Sequence, residues 1–405
     1  MEAVRSVCLG IWFKVGSRDE SDKEQGISHF IEHMMFKGTE KRDAFTISEG
    51  FESLGAEQNA FTSKEYTCYY SRFVDDKLPR IFEILGDMVT SSLFLQDAIN
   101  SEREVVIEEI ARSEDTPDDH VFELFTRAMF PTHALGRPII GNRETVGSFL
   151  HDDCISFKDR HYHANNCIVV ACGHIDHNAL LALCEQHLSK LGSGTRNSRE
   201  VLTAGSSDRF SLLKKDTEQA HIVYGMPGIP LGDADRFAAS LLDTVFGGGM
   251  SSRLFQEVRE KRGLAYAVYS SNVAYSGAGQ YVVYAGTRPS NMMDLISIVR
   301  QEIRRMYDAG LTSEELERAR EHVIGHIVLS MESTSSRMVK LGTNSISDLE
   351  ILSLDESIRR YREVTLDDTM RVAQRMLAQD PTIAIISPFD EQEIRDMLVQ
   401  VGSKN

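Results

Sequence analysis

Three side chains within five residues could do chemistry together: His29, Glu32 and His33, in the run GISHFIEHMMFKGT. On a helix, residues four apart lie one above the other, so His29 and His33 present two imidazoles to one point. Zinc accepts such a pair at Zn–N distances of about 2.0–2.1 Å. Glu32 sits three residues from His29 and beside His33, where its carboxylate can reach a water on the metal. H-x-x-E-H inverts the commoner H-E-x-x-H order and is a zinc peptidase signature. The chemistry indicated is hydrolysis of a peptide bond by an activated water. A plain His pair on a helix surface or in a core is the competing reading, and the pattern by itself does not exclude it.

Some element must hold the trio, and its flanks describe one. Gly26 closes the charged stretch RDESDKEQG, and Ser28 is placed to cap a helix over roughly 26–38. Ile27, Phe30, Ile31, Met34, Met35 and Phe36 surround the polar residues, as on a helix buried on most sides. Buried imidazole and carboxylate groups need partners, which favours a metal site.

Around this helix the chain alternates strands and helices. SVCLGIWFKVG reads as a strand ahead of it; behind it come a helix near 44–54 stopped by Gly55 and strands in NAFTSKEYTCYYSRFV. Helices near 76–93 and 95–115 follow, then the turn LGRPIIG and the buried strand NNCIVVACG. The helix at 95–115 carries Glu102, Glu104, Glu108 and Glu109, which read alone make a solvated acidic face. The stretch KLGSGTRNSREVLTAGSSDRF has the composition of a linker. After it the order recurs: QAHIVYGMPG, then RFAASLLDTVFGG, then strands in YAVYSSNVAYSGAGQYVVYAGT and helices at 290–309 and 312–332. The spacing of AINSEREVVIEEI is echoed by Glu315–Ile327, while Ala239, Leu242 and Asp243 stand near the places of the trio. This predicts two related α/β units, residues 1–195 with the chemistry and 212–405 without it, joined by a linker at 196–211.

A chain of 405 residues with 41% hydrophobic and 26% charged residues has the composition of an ordinary soluble globular protein of two to three domains. No run approaches the roughly 18 apolar residues of a membrane span. The start, MEAVRSVCLGIWFKVGSRDE, lacks the features of a signal or transit peptide, so a cytoplasmic location is expected. Six cysteines without a C-x-x-C pair read as reduced thiols. The net charge of −17 argues against nucleic acid or an anionic membrane as partner and is compatible with basic peptides. His161, His163, His174 and His177 have no matching carboxylate motif, and the GGG at 247–249 lacks the strand-then-lysine context of a phosphate loop.

Together GSRDE, GISHFIEHMMFKGT, NAFTSKEYTCYY, EREVVIEEI, LGRPIIG and GGGMSSRLFQEVREKRGLAYAVYS resemble the pitrilysin/insulinase zinc peptidases, and among them the bacterial proteins close to the mitochondrial processing peptidase β-subunit. The resemblance covers nearly the whole chain. It implies an α+β fold of two homologous α/β domains, each a mixed, largely antiparallel sheet flanked by helices, forming a clamshell around a peptide. It also implies a zinc endopeptidase with one Zn2+ per chain, held by His29, His33 and a Glu from the pattern E-R-x-V-V-x-x-E, which is Glu109 here. Glu108 is the runner-up ligand. Glu102, roughly 20° from Glu109 on the helix at 100° per residue, matches the family's Glu behind the ligands.

Further roles come from the same resemblance. Glu32 takes a proton from water and returns one to the leaving amine, and Tyr266 and Arg259, in REKRGLAY, stabilise the oxyanion or hold the substrate backbone. Asn59, Ala60 and Phe61 match the edge strand on which substrate is laid by β-addition. Asp119 and Glu123 match acidic positions that bind a substrate Arg. Read alone, these three sets are a surface Arg with a core Tyr, an ordinary strand and a charged helix face. Relatives usually begin with about 20 further residues forming a strand beside Ser6–Val15, so the expectation is either a misassigned start or an exposed sheet edge there. Extended basic peptides or presequence-like segments are the implied substrates. The alternatives are a non-catalytic partner or scaffold subunit, or general oligopeptide clearance; a homodimer, or a heterodimer with a related subunit, is open.

Overall fold

The computed structural model describes residues 1, 4–199, 202 and 209–402; residues 200–201 and 203–208 of the expected linker lie outside them. The chain forms two compact units. Unit 1 comprises Met1–Arg112, Arg137–Ser198 and Leu329–Ile351, and unit 2 comprises Ser113–Gly136, Arg199–Val328 and Leu352–Asn405.

Unit 1 is built on β1 (Ser6–Phe13), β2 (Glu57–Thr62), β3 (Thr67–Val74) and β4 (Cys167–Gly173), in the order β2-β3-β1-β4 and antiparallel throughout. The run SVCLGIWF is apolar at almost every position because β1 is buried on both faces. Val7, Leu9, Ile11 and Phe13 enter the core shared with Ile27, Phe30 and Ile31. Cys8 and Trp12 point the other way, into a cluster with Cys68, Val170 and Met338. Met338 belongs to the helix Thr334–Ile346, which closes that face; a Cβ added at Gly342 of this helix would lie 2.2 Å from the Trp12 ring. The exposed edge expected at Ser6–Val15 is not found, since β1 lies between β3 and β4 and the edges are β2 and β4. The strand that covers β1 comes from far later in the chain, a long-range pairing that local pattern does not disclose.

Unit 2 contains β5 (Phe210–Lys214), β6 (Ala220–Pro227), β7 (Ala265–Tyr275), β8 (Ala278–Thr287) and β9 (Thr382–Ser387), in the order β5-β9-β6-β8-β7. Only β5 and β9 run parallel. The string β7-β8-β6-β9 repeats the topology β2-β3-β1-β4 of unit 1, so the internal repeat read in the sequence is a repeat of architecture. One sheet face carries the larger core with Leu241, Leu242 and Val299. On the other, Val223, Val282, Ala384 and Ile386 are covered by Val121 and Phe125 of the helix Pro117–Met129.

Both units are mixed α/β layers with sheets flanked by helices, the class expected. The passage near Ser198 falls close to the boundary read from composition. The reading 1–195 and 212–405 does not contain the exchange, however: Pro117–Met129 completes unit 2 and Thr334–Ile346 completes unit 1. All six cysteines are free, and burial raises each thiol above its ordinary range. No helix among the described residues is long and apolar enough to cross a membrane.

Candidate metal centre

The motif lies on the helix Ile27–Met34, shorter than the span 26–38 expected. Its start is set by Gly26 at φ +92°, where a side chain would strike the Ile140 carbonyl oxygen. Ser28 was the expected cap, but it lies inside the first turn. The capping group is Glu20, a buried carboxylate that accepts from Gly26 N (2.8 Å) and Ser28 N (2.9 Å). It satisfies amides that a helix start leaves open, and burial pushes its carboxyl up to about 7 against the bonds from Ser28 and Gly26. Ile27, Phe30, Ile31 and Met34 are buried, and this orients His29, Glu32 and His33 together towards the opposite side.

The helix Gln96–Asp115 supplies the rest. Nε2 of His29 and Nε2 of His33 lie 3.8 Å and 3.7 Å from Oε2 of Glu109. The imidazole centroids are 4.5 Å apart. Ligand atoms of His29, His33 and Glu109 all fall within 4.8 Å of one another, the only such group of three among the described residues. These spacings are too long for hydrogen bonds. They approach the ~3.4 Å between ligands of a tetrahedral ion with bonds near 2.0–2.1 Å. The donor set, two imidazoles and a carboxylate, suits zinc and leaves a coordination position for water. Glu104 and Glu108 are exposed and stand outside the group.

Glu102 is buried and divides its two oxygens. Oε1 lies 2.8 Å from His33 Nδ1, and Oε2 lies 2.5 Å from Lys37 Nζ. The first contact assigns the proton to Nδ1 and leaves the Nε2 lone pair facing Glu109. Burial acts to raise Glu102, but the bonds to His33 and Lys37 outweigh it and hold the carboxyl below its usual range. Burial, with the neighbouring His33, brings His29 down to about 4, so its ring is neutral and able to ligate near pH 7. For His33 burial is the largest influence and lowers it, yet Glu102, Glu109 and Glu32 together turn the net shift upward. His29 Nδ1 is buried without a hydrogen-bond partner.

Glu32 is raised by burial, against the bond donated by Thr62 Oγ1 at 2.5 Å and the charge of His33. A carboxylate moved towards neutral pH is a better proton acceptor. Thr62 ends β2, the sheet edge, so the strand carrying Asn59, Ala60 and Phe61 is tied directly to Glu32. Glu32, His33, Lys37 and Glu102 line a cleft of about 300 Å³ together with Phe36, Gln58, Asn59 and Ala60. Phe61 points away from it and stacks edge-on against Trp12 at 5.4 Å.

The remaining expected residues lie in unit 2. Arg259 sits on a single widened helical turn, Phe255–Glu260, with its guanidinium 4.8 Å from the Phe255 ring and 4.5 Å from that of Tyr266. Tyr266 is 78% exposed, which removes the reading of a core tyrosine. Asp119 is exposed on the helix Pro117–Met129, and Glu123 accepts from Ser113 Oγ at 3.3 Å. On the unit 2 helix Arg236–Phe246, Asp243 is held by Ser270 Oγ at 2.5 Å and raised by burial, and it belongs to no metal-ligand group among the described residues. Lys37, Thr62 and Glu20 were not singled out in the sequence. Only Lys37 left a local signal, its position four residues beyond His33.

Comparison with known proteins gives a consistent result. Residues 2–143 match the family profile Insulinase (Peptidase family M16), and 148–323 match Peptidase M16 inactive domain. An uncharacterized zinc protease of Streptomyces coelicolor is 40% identical over 97% of this chain and 87% of its own length. The uncharacterized zinc protease YmxG of Bacillus subtilis is 37% identical over 95% of this chain and 94% of its own. Among solved structures, a peptidase M16 inactive domain from Pseudomonas fluorescens superposes with a TM-score of 0.90 at 21% identity, covering 96% of this chain and 95% of that one. A protease from Helicobacter pylori gives 0.89 at 21%, with the same coverage. These two likenesses establish the fold.

Proposed function

The chain belongs to the insulinase family of peptidases, and from that premise we propose that it is a zinc-dependent endopeptidase acting on extended peptides. The observation that carries the reading is the convergence of His29, His33 and Glu109, with Glu102 behind His33 and Glu32 beside the group. Zinc, when bound, supplies the Lewis acidity that makes a water acidic near pH 7. His29 and His33 offer Nε2 lone pairs, and Glu109 offers its carboxylate. Glu32 accepts a proton from the attacking water and hands it to the leaving nitrogen, with Thr62 fixing which oxygen does so. The free edge of β2 binds the peptide backbone as an added strand. Arg259 and Tyr266 hold substrate or its developing oxyanion. The intact ligand group weighs against a scaffold subunit. The test is direct: purified protein is expected to hold about one zinc per chain, as a three-ligand site would, and to lose peptidase activity to a chelator. Full activity in metal-free protein would exclude the reading.

The proposed substrates are basic, with Arg on the N-terminal side of the scissile bond. The support is the −17 net charge and the carboxylates of Asp119 and Glu123, one helical turn apart. Charge-assisted bonds of that kind contribute about 1.5–3 kcal/mol, roughly tenfold to a hundredfold in kcat/KM. Cleavage of one peptide in Arg and Ala versions, by wild type and by Asp119→Asn/Glu123→Gln, measures it. Equal rates on the wild-type enzyme would leave a general oligopeptidase.

A further inference from the structure

We propose that Lys37 is a positioning residue for the metal centre: it straps the two ligand-bearing helices together through Glu102 and thereby sets the affinity for zinc. This rests on the reading of His29, His33 and Glu109 as zinc ligands. Those ligands come from two elements, the imidazoles from Ile27–Met34 and the carboxylate from Gln96–Asp115. The site therefore depends on how the second helix is registered against the first.

Glu102 fixes that register. It is only 4% exposed, and among the described residues its oxygens bond to two groups, His33 Nδ1 at 2.8 Å and Lys37 Nζ at 2.5 Å. Both partners ride on the motif segment, since the Lys37 amide bonds back to Met34 O at 3.1 Å as the chain leaves the helix. Glu109 stands two turns further along the helix that Glu102 anchors, roughly 10.5 Å at 1.5 Å per residue, on nearly the same face. A carboxylate held at one oxygen pivots about that bond; held at both, it cannot. Without Lys37, Oε2 would be a buried anionic oxygen with no partner, and Glu102 would turn into the adjoining 300 Å³ cleft to be hydrated. The His33 Nδ1–Glu102 bond would loosen, and with it the aim of Nε2 and the distance to Glu109.

The plain alternative is a partly exposed ion pair of little consequence. The Lys37 side chain is 36% exposed, and partly exposed pairs of this kind contribute little to stability. The two accounts separate because one predicts a loss of zinc affinity at unchanged fold stability. Metal-free protein would be titrated with zinc against a chromophoric chelator for wild type, Lys37→Met, Lys37→Arg, Glu102→Gln and the double variant Lys37→Met/Glu102→Gln, with thermal melting of each apo form as the folding control. Lys37→Met is expected to bind zinc about tenfold more weakly, and Glu102→Gln about 10–100-fold. Lys37→Arg should recover most of the loss, because guanidinium can bond Oε2. The double variant should be no weaker than Glu102→Gln alone, since Lys37 acts through Glu102. Wild-type affinity in Lys37→Met, no recovery in Lys37→Arg, or a double variant showing the product of both losses would each overturn the proposal. A wild-type chain that takes up no zinc would instead remove the reading on which it stands.

Discussion

Replacing Glu32 by Gln is expected to reduce peptide turnover by about 10²–10⁴-fold, the range for loss of a positioned proton carrier, while zinc content stays near that of the parent. Gln is close in shape and can still accept the Thr62 hydroxyl bond made now at 2.5 Å. The proposed ligand group of His29, His33 and Glu109 is untouched. What disappears is the one carboxylate beside the ligands that burial raises towards neutral pH. Steady-state kcat on a fluorogenic peptide, with metal content measured on the same sample, decides the matter. Turnover within a few-fold of wild type would assign the proton transfer elsewhere, and loss of zinc would make Glu32 a ligand.

His33→Ala should do the reverse and abolish activity through the metal. The substitution removes one of the three proposed ligands and leaves Glu102 paired with Lys37 alone. Zinc binding is expected to weaken by more than about a hundredfold, the upper end for losing a residue behind the ligands. Glu109→Gln should behave alike, whereas Glu108→Gln, on an exposed position outside the group, should keep its zinc. The Glu108 and Glu109 variants compared by metal content fix the third ligand, and zinc loss in Glu108→Gln alone would move the assignment by one residue.

The local part of this site was legible in the sequence and the long-range part was not. His29 and His33 at a spacing of four, framed by Ile27, Phe30, Ile31 and Met34, is a periodic signal that one helix contains whole. Glu102 and Glu109 share a helix face by the same arithmetic, and the family resemblance, not spacing, chose Glu109. Thr62 and Lys37 were missed because each meets a partner that folding brings near, and Glu20 because it caps from six residues ahead of Gly26, outside the positions where caps usually stand. Thr62 reaches Glu32 from a sheet edge, and Lys37 meets a carboxylate on another helix. Glu20 caps a helix from across a loop, so Ser28, which merely sits where caps usually do, was the natural but mistaken choice. The strand SVCLGIWF was recognised but not its place, because β4 arrives at its side only after seven α-helices and two strands have intervened in the chain. Arg259 and Tyr266 came from resemblance alone, since their stack on Phe255 has no periodic signature.

The exchanged helices bear on the moment of synthesis. As the chain leaves the ribosome, β1, β3 and β4 can pair early, but Thr334–Ile346, which closes over Cys8, Trp12, Cys68 and Val170, is made about 160 residues after β4. At ~5–20 residues per second that is a wait of roughly 10–30 s. Through that interval a sheet face carrying the sole tryptophan is wet and free to stick to other nascent chains. Pro117–Met129 waits as well, with Val121 and Phe125 bare until β6, β8 and β9 exist to receive them. Neither unit is finished before the other has begun, so a chain that stops short of Thr334 contains no closed unit.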